Sequence, residues 1–233
     1  MMKQKLAVFD WDGTIRPNFT INQWLNHLVS NMIITGDTTN QLNSLFISYE
    51  KKEINHDQLA YLSAGIYATS VKNISKDLIS NQAQEFVSLD RNLLFRWSKE
   101  ILSDLNKQHI DVIIISGAPL EILGEYRNVL KLNNIYGLDL EMEKGIFTGN
   151  ILRNPGISST KEILIKQIEE LNNSQIVLAM GNSTSDIPLF HSAPINIIVN
   201  NSSLITNRHE LHITEETSTK LILEYIKQEM RKL

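Results

Sequence analysis

The chain has 233 residues and a net charge of −4, so it offers room for a sizeable core but no basic surface for nucleic acid. It contains no cysteine, which excludes disulfides and thiolate chemistry, and its apolar runs are too short to span a bilayer. The first apolar run stops at Asp10 after a few residues, unlike a secretory signal. We therefore expect a cytoplasmic protein whose partners are neither nucleic acids nor membranes.

The first predicted element is a short buried strand over residues 5–9 that runs into Asp10-Trp11-Asp12-Gly13-Thr14. Ligands of open α/β sheets bind beyond the carboxyl ends of the strands. Two aspartates at such an end are costly to bury unless a cation or a proton neutralises one of them. Because Gly13 also allows a sharp turn, this segment predicts a functional acidic site rather than an ordinary acidic turn.

A long stretch with helical spacing of apolar residues follows the acidic segment. Four stripes predict four helices: Ile21, Trp24, Leu25, Leu28, Val29 and Met32; Leu42, Leu45, Phe46 and Tyr49; Leu59, Leu62 and Ile66; Leu78, Ile79, Phe86 and Val87. Gly36-Asp37-Thr38 is predicted to end the first helix, and Ser75 to cap the fourth. Consecutive helices with short joints predict a small bundle, inserted at residues 16–89 as a cap over the acidic site.

Strands and helices alternate after Asp90. Helices are predicted at residues 94–105, 119–132, 159–171 and 221–230, strands at 111–116, 176–180 and 195–199, and a hairpin turn at Glu143-Lys144-Gly145. This alternation predicts an α/β fold with a doubly wound, parallel, Rossmann-like sheet and right-handed crossovers. The predicted core domain comprises residues 1–15 and 90–233.

Three further polar segments are predicted to reach the same edge of the sheet. Ser116-Gly117 ends a buried strand, and Lys161 lies in the first turn of a helix, where the macrodipole disfavours a cation unless an anion binds nearby. Gly181-Asn182-Ser183-Thr184-Ser185-Asp186 follows another strand, and its carboxylate and amide oxygens suit a hard cation such as Mg²⁺. Each signal is weak alone, but their order along the chain predicts one shared site.

These segments resemble the four motifs of the haloacid dehalogenase superfamily of phosphohydrolases, and the helical insertion is similar to the cap of its phosphoserine-phosphatase-like branch. The resemblance implies that Asp10 is the nucleophile and that Asp12 is the general acid and base. It implies phosphate-binding roles for Thr14, Ser116, Gly117 and Lys161. It also implies a Mg²⁺ cofactor held by Asp10, Asp12 (through its main-chain carbonyl), Asn182 and Asp186.

Two positions depart from the family pattern. Asn182 stands where an aspartate usually ligates magnesium, so we predict weaker magnesium binding, with more of it carried by Asp186. Phe19 stands where phosphoserine phosphatases have a glutamate for the substrate's amine, so phosphoserine is not the expected substrate. Phe19 and Trp24 are candidate contacts to a less polar or larger leaving group, or else core residues of the bundle.

The resemblance implies a Mg²⁺-dependent phosphomonoester hydrolase that acts on a small phosphorylated metabolite through an aspartyl phosphate. Two alternatives stay open: a weakly catalytic relative that binds a phosphorylated ligand as a sensor or regulator, which Asn182 favours, and a phosphotransferase. A response-regulator receiver is excluded, since the middle strand that would carry its aspartate ends at Ser116. The six histidines show no spacing typical of metal ligands, and most are predicted to lie at the surface.

Overall fold

A computed structural model of the chain describes residues 3–171, 174–206 and 209–233. In this part of the chain a seven-stranded sheet has the order β4-β3-β2-β1-β5-β6-β7. Its strands are β1 (Gln4–Phe9), β2 (Asp111–Pro119), β3 (Asn134–Glu143), β4 (Ile146–Arg153), β5 (Ser174–Gly181), β6 (Ile195–Val199) and β7 (His209–Ile213). Neighbouring strands run parallel except β3 and β4, which form an antiparallel hairpin.

Helices cover both faces of this sheet and form an insertion after β1. The helices are α1 (Thr20–Ser30), α2 (Asp37–Glu50), α3 (His56–Ser70), α4 (Lys76–Asp90), α5 (Ser98–Lys107), α6 (Leu120–Leu130), α7 (Ser158–Leu171), α8 (Ile187–Ser192) and α9 (Thr219–Met230). We call α1–α4, together with the segment that leads from β1 into α1, the helical insertion. The fold is therefore the predicted α/β class with a bundle inserted between β1 and the rest of the chain.

The alternation of side chains along β1 explains why the sheet needs layers on both faces. Ala7 and Phe9 belong to one buried apolar cluster, whereas Leu6 and Val8 belong to another on the opposite face. Parallel strands covered on both faces are continuous apolar runs, and all five residues of β6 are buried. These two clusters hold the sheet between its helical layers.

The strand order places a crevice beside β1. The chain adds β2 and β3 on one side of β1 and later adds β5 and β6 on the other. Connections therefore diverge from β1, and the loops that follow β1, β2 and β5 meet at one edge of the sheet. This switch point is where doubly wound folds bind their ligands.

Several element bounds differ from the sequence prediction. α1 ends at Ser30, and Asp37 begins α2 instead of ending the first helix. β2 continues through Gly117 to Pro119, so α6 begins at Leu120. Trp97 immediately precedes α5, so that helix begins later than predicted, and β7 was not predicted at all.

Two local predictions are confirmed. The Ser75 hydroxyl accepts a hydrogen bond from the Leu78 amide at 3.3 Å and so caps α4. Lys144 and Gly145, both with positive φ, form the predicted turn between β3 and β4. Within the described residues, no helix is both long and apolar enough to cross a bilayer.

Candidate active site

A buried lysine joins two aspartates at the floor of the site. Lys161 projects from the first turn of α7, and its Nζ donates to Asp10 Oδ1 at 3.0 Å and to Asp186 Oδ1. Each of the three residues is at most 6% exposed. Burial would lower the pKa of Lys161, but the charges of Asp10 and Asp186 outweigh it and raise the pKa, so the ammonium stays charged.

Asp186 is engaged through both of its carboxylate oxygens. Oδ2 accepts from the amides of Asn182 and Ser183, each at 2.9 Å, and from the Ser183 hydroxyl at 3.1 Å. Burial opposes ionisation, but Lys161 and these donors outweigh it and hold the pKa of Asp186 below its ordinary value. This geometry suits a residue that positions Lys161 and closes the loop after β5, and it differs from the metal-ligand role predicted for Asp186.

Asp10 follows β1 directly, and its amide donates to the Met180 carbonyl at 2.9 Å, which ties this loop to β5. Burial raises the pKa of Asp10 to about 7, although Lys161 partly opposes the shift. A nearby cation would favour the ionised form. Oδ2 has no hydrogen-bond partner among the described residues, so this oxygen is free to react or to bind an ion.

Asp12 lines the same cavity but belongs to a separate hydrogen-bond network. Its Oδ1 accepts from the Thr20 amide at 2.9 Å and from the Thr20 hydroxyl. The Trp11 indole donates to that hydroxyl at 3.1 Å, which orients it toward Asp12. Burial raises the pKa of Asp12 to about 6 despite the Thr20 bonds and the Arg16 charge, so the carboxyl can exchange a proton near neutral pH.

Ser116 and Gly117 form the wall of the site contributed by β2, as predicted, and both line the cavity. A Cβ on Gly117 would lie 2.8 Å from the Gly156 Cα in the loop before α7. Only glycine therefore permits this close approach of the two loops. The arrangement leaves a hydroxyl and a main-chain segment beside Asp10, which suits the oxygens of a phosphoryl group.

The oxygen atoms that lie beyond the carboxyl end of β1 are suited to bind a magnesium ion. Asn182 packs on Gly13, with its amide nitrogen 2.0 Å from where a Gly13 Cβ would stand, so the amide lies beside the turn that carries Asp12. The Asp12 carbonyl accepts no hydrogen bond among the described residues. Asp10, this carbonyl and Asn182 would give one carboxylate and two neutral oxygens. Mg²⁺ completes such sets with water and substrate phosphate.

Carboxylate side chains alone would not form the magnesium site. Among the residues that the structure describes, no group of three or more His, Cys, Asp and Glu side chains is arranged to hold a metal ion. The magnesium fit therefore depends on Asn182 and on the main-chain carbonyl.

The helical insertion lines the cavity above this floor. The cavity has a volume of about 230 Å³, below the 300–1,000 Å³ that is typical of ligand pockets. The insertion contributes Phe19, Ile21, Phe46, Tyr49, His56, Leu59, Ala60 and Ser63. Phe19 thus contacts the cavity, as one of its two predicted roles requires.

Three predicted site residues do not line the cavity: Asp186, described above, Thr14 and Trp24. Thr14 is fully buried, and its hydroxyl has no partner among the described residues, so it is not positioned to hold phosphate. Trp24 is also fully buried and packs edge-on against Phe86 at 5.5 Å between ring centroids. Of its two predicted roles, Trp24 therefore has the second, that of a core residue among the helices.

His56 lines the cavity and was missed by the sequence analysis, which considered histidines only as metal ligands. It begins α3, and its Nδ1 is buried without a hydrogen-bond partner among the described residues. Burial, together with the charge of Lys161, lowers its pKa, so the ring is neutral at pH 7. The sequence offered one indication of its position: Asn55, a residue type that caps helices, directly precedes His56 and places it at the start of α3.

Comparison with known proteins identifies the family of the chain. A model of the family described as haloacid dehalogenase-like hydrolase matches residues 7–191, whereas no curated protein matches the sequence. Among solved structures, a protein of unknown function from Bordetella pertussis Tohama I is 18% identical, with a TM-score of 0.71 over 87% of this chain and 92% of that one.

Two phosphoserine phosphatase structures are also similar. A substrate-bound complex is 16% identical, with a TM-score of 0.69 over 97% of this chain and 99% of that one. A phospho-aspartyl intermediate analogue is 17% identical, with a TM-score of 0.68 over 96% and 99%. Identities this low indicate a shared fold. With the family model covering most of the chain, the protein belongs to the haloacid dehalogenase-like hydrolase family.

Proposed function

We propose that this hydrolase is a Mg²⁺-dependent phosphomonoesterase that acts on a small phosphorylated metabolite through an aspartyl phosphate on Asp10. The observation that carries the proposal is the contact between Lys161 and Asp10 at the floor of the cavity, beside Asp12. Lys161 orients Asp10 through Oδ1 and leaves Oδ2 unpartnered, and Asp12, with its pKa raised to about 6, lines the same cavity. Family membership supports hydrolysis, and the fold shared with phosphoserine phosphatases supports a phosphate ester as the substrate.

In the first step, Asp10 Oδ2 attacks phosphorus and the bond to the ester oxygen breaks. Asp12, protonated at this stage, gives its proton to the departing alkoxide. Lys161, Ser116 and the main chain at Gly117 hold the phosphoryl oxygens and neutralise part of their charge. Positioning and charge neutralisation supply most of what phosphoryl transfer requires.

In the second step, Asp12 takes a proton from water, whose oxygen attacks phosphorus. The bond between phosphorus and Asp10 Oδ2 breaks, and inorganic phosphate leaves with Asp10 and Asp12 restored. The dual role of Asp12 requires a pKa near the working pH, which burial provides.

Mg²⁺, held by Asp10, the Asp12 carbonyl and Asn182, would neutralise phosphoryl charge and keep Asp10 ionised. Residues 16–89 would act as a cap over the core of residues 1–15 and 90–233. The cap residues that line the cavity would exclude bulk water from the reacting phosphorus.

The test uses p-nitrophenyl phosphate with Mg²⁺ as a generic substrate. Asp10→Asn should lower kcat by about 10³-fold or more, because the amide is not a nucleophile. Asp77→Asn, which changes an exposed acid in α4, is the matched control and should retain full activity. In Asp12→Asn, quenched protein should carry one phosphoryl group on Asp10, detectable by mass spectrometry, because hydrolysis of the intermediate lacks its base. Full activity of Asp10→Asn would refute the proposal.

A second candidate function is a binding protein for a phosphorylated ligand with little turnover. Asn182 favours it, because the amide removes one negative charge from the metal site. Tight binding of a phosphorylated metabolite without turnover of any ester would support this function over hydrolysis.

A further inference from the structure

Four rings from the helical insertion form a continuous wall of the cavity. We call Phe19, Phe46, Tyr49 and His56 the aromatic wall. Ring centroids lie 5.0 Å apart for Phe19 and Phe46, 6.4 Å for Phe19 and Tyr49, and 6.2 Å for Tyr49 and His56. Aromatic rings in such contacts stabilise their mutual packing, and together they present an apolar surface to a ligand.

Few of the residues that line the cavity carry a charge, and none of those residues belongs to the aromatic wall. Among the described residues that line it, the charged side chains are Asp10, Asp12 and Lys161, and all three are used at the floor. The other lining residues of the insertion are Ile21, Leu59, Ala60 and Ser63, which carry no charge. His56 adds no charge at pH 7, because burial lowers its pKa. An ammonium or carboxylate on the leaving group would therefore find no charged partner on the aromatic wall, and its burial there is unfavourable.

We infer, on the basis of the proposed function, that the substrate is the phosphate ester of a compact, uncharged alcohol whose aryl or alkyl body packs on the aromatic wall. The phosphoryl group lies at the floor beside Asp10 and Lys161. A zwitterionic amino acid, as in phosphoserine, does not fit this surface.

Matched esters test the inference without changing the leaving-group chemistry. Phenyl phosphate and O-phospho-L-tyrosine both release a phenol, but the second also carries an ammonium and a carboxylate. We expect kcat/KM to be at least about 10-fold higher for phenyl phosphate, because those charges would be buried unpaired. An equal or higher kcat/KM for phosphotyrosine, or for O-phospho-L-serine over propyl phosphate, would overturn the inference.

A variant of the wall should reverse this preference. Phe19→Glu places a charge against the apolar body, so kcat/KM should fall about 10-fold for phenyl phosphate and rise for phosphoethanolamine. Tyr61→Glu adds the same charge to an exposed position of α3 outside the cavity and should change neither value. An unchanged ester preference in folded Phe19→Glu would contradict the assigned role of the wall.

A binding measurement keeps this inference separate from the proposed function. By calorimetry, phenylphosphonate should bind wild-type protein at least about 10-fold more tightly than 2-amino-3-phosphonopropionate. If no ester is hydrolysed but this order holds, the proposed function fails and the ligand class stands. If esters are hydrolysed and the zwitterionic phosphonate binds as well or better, the function stands and the ligand class is wrong.

Discussion

At the scale of single residues, the site depends on one buried cation shared by two acids. Lys161→Met would leave Asp10 and Asp186 without their common partner in a buried setting. We expect the free energy of unfolding to fall by about 3–5 kcal/mol, as is usual when one member of a buried ion pair is removed. Urea denaturation followed by circular dichroism measures this loss.

A double variant shows whether the loss comes from charge. Adding Asp186→Asn to Lys161→Met removes one uncompensated carboxylate, so part of the lost stability should return. A Lys161→Met protein within about 1 kcal/mol of wild type, or a double variant less stable than the single one, would contradict a charge-based origin.

Asn182 sets the charge of the proposed magnesium site. Asn182→Asp restores a carboxylate beside the turn at Gly13, so the Mg²⁺ concentration for half-maximal activity should fall by about 10-fold. Thr184→Asp adds the same charge at the exposed rim of the cavity and should have a much smaller effect. An unchanged magnesium requirement in Asn182→Asp would show that Asn182 does not hold the ion.

At the scale of elements, a buried network joins the exit of β1 to the end of α4. Arg16 Nε donates to both Asp90 oxygens, at 3.0 and 2.8 Å, and the Tyr126 hydroxyl of α6 donates to Asp90 Oδ2 at 2.6 Å. Arg16 is fully buried and Asp90 is 3% exposed. These contacts fix both chain connections between the helical insertion and the core.

In variants of this network, the loss of unfolding free energy should be larger when a buried charge is left unpaired. Asp90→Asn leaves the buried Arg16 guanidinium without an anion and should cost about 3 kcal/mol of unfolding free energy. Tyr126→Phe removes one neutral donor and should cost about 1–2 kcal/mol. Chemical denaturation of both variants gives the comparison, and a larger loss in Tyr126→Phe would contradict it.

Glu121 of α6, which is hydrogen-bonded to Tyr67 of α3, should make the stability of the protein depend on pH. Its Oε2 accepts from the Tyr67 hydroxyl at 3.2 Å, and burial raises the pKa of Glu121 to about 7. A carboxyl with a higher pKa in the folded state binds more protons when folded, so its effect is to lower stability as pH rises from 4.5 to about 7. Because the residue is half-buried, we expect this change to be about 1 kcal/mol.

Glu121→Gln should remove that part of the pH dependence. Unfolding free energies at pH 5, 6 and 7 should fall less in the variant than in wild type. Glu100→Gln, which changes an exposed acid on α5, should keep the wild-type slope. Equal slopes for all three proteins would show that Glu121 does not titrate in this window.

The sequence predicted elements well where burial imposes a pattern. The strands at residues 111–116, 176–180 and 195–199 are continuous apolar runs because helices cover both faces of the sheet. β7 lies at the sheet edge, and His209-Glu210-Leu211-His212-Ile213 is mostly polar, so it had no such pattern. Helix ends were less predictable, since Asp37 can follow one helix or begin another.

At the scale of the whole molecule, the half of the cavity contributed by the core was more predictable than the half contributed by the helical insertion. Asp10, Ser116 and Lys161 each lie at a strand end or a helix start, so the sheet topology brings them together. The aromatic wall has no comparable signal, because an aromatic residue on an amphipathic helix can face either the core or a cavity. Phe19 faces the cavity and Trp24 does not, although both were candidates on equal terms.

The two halves of the cavity are held together by few polar contacts. Asp57 in the first turn of α3 accepts from the Ser158 amide at 3.1 Å and from its hydroxyl at 2.9 Å, at the start of α7. The Asn154 side chain donates to the Ala60 carbonyl at 2.9 Å. An acid at a helix N-terminus satisfies free amides and interacts favourably with the helix dipole. Asp57 therefore links α3 of the helical insertion to α7 of the core.

Loss of this contact should loosen closure without altering the chemistry at the floor. In Asp57→Ala we expect faster amide exchange in α3, and kcat/KM lower by about 10-fold, mostly through KM, because substrate binding must then supply the energy of closure. Asp77→Ala removes an exposed acid from the first turn of α4 and should leave both measurements unchanged. If Asp57→Ala instead lowered kcat alone and left α3 exchange as in wild type, Asp57 would act on the reacting groups. The insertion would then owe its closed position to apolar packing.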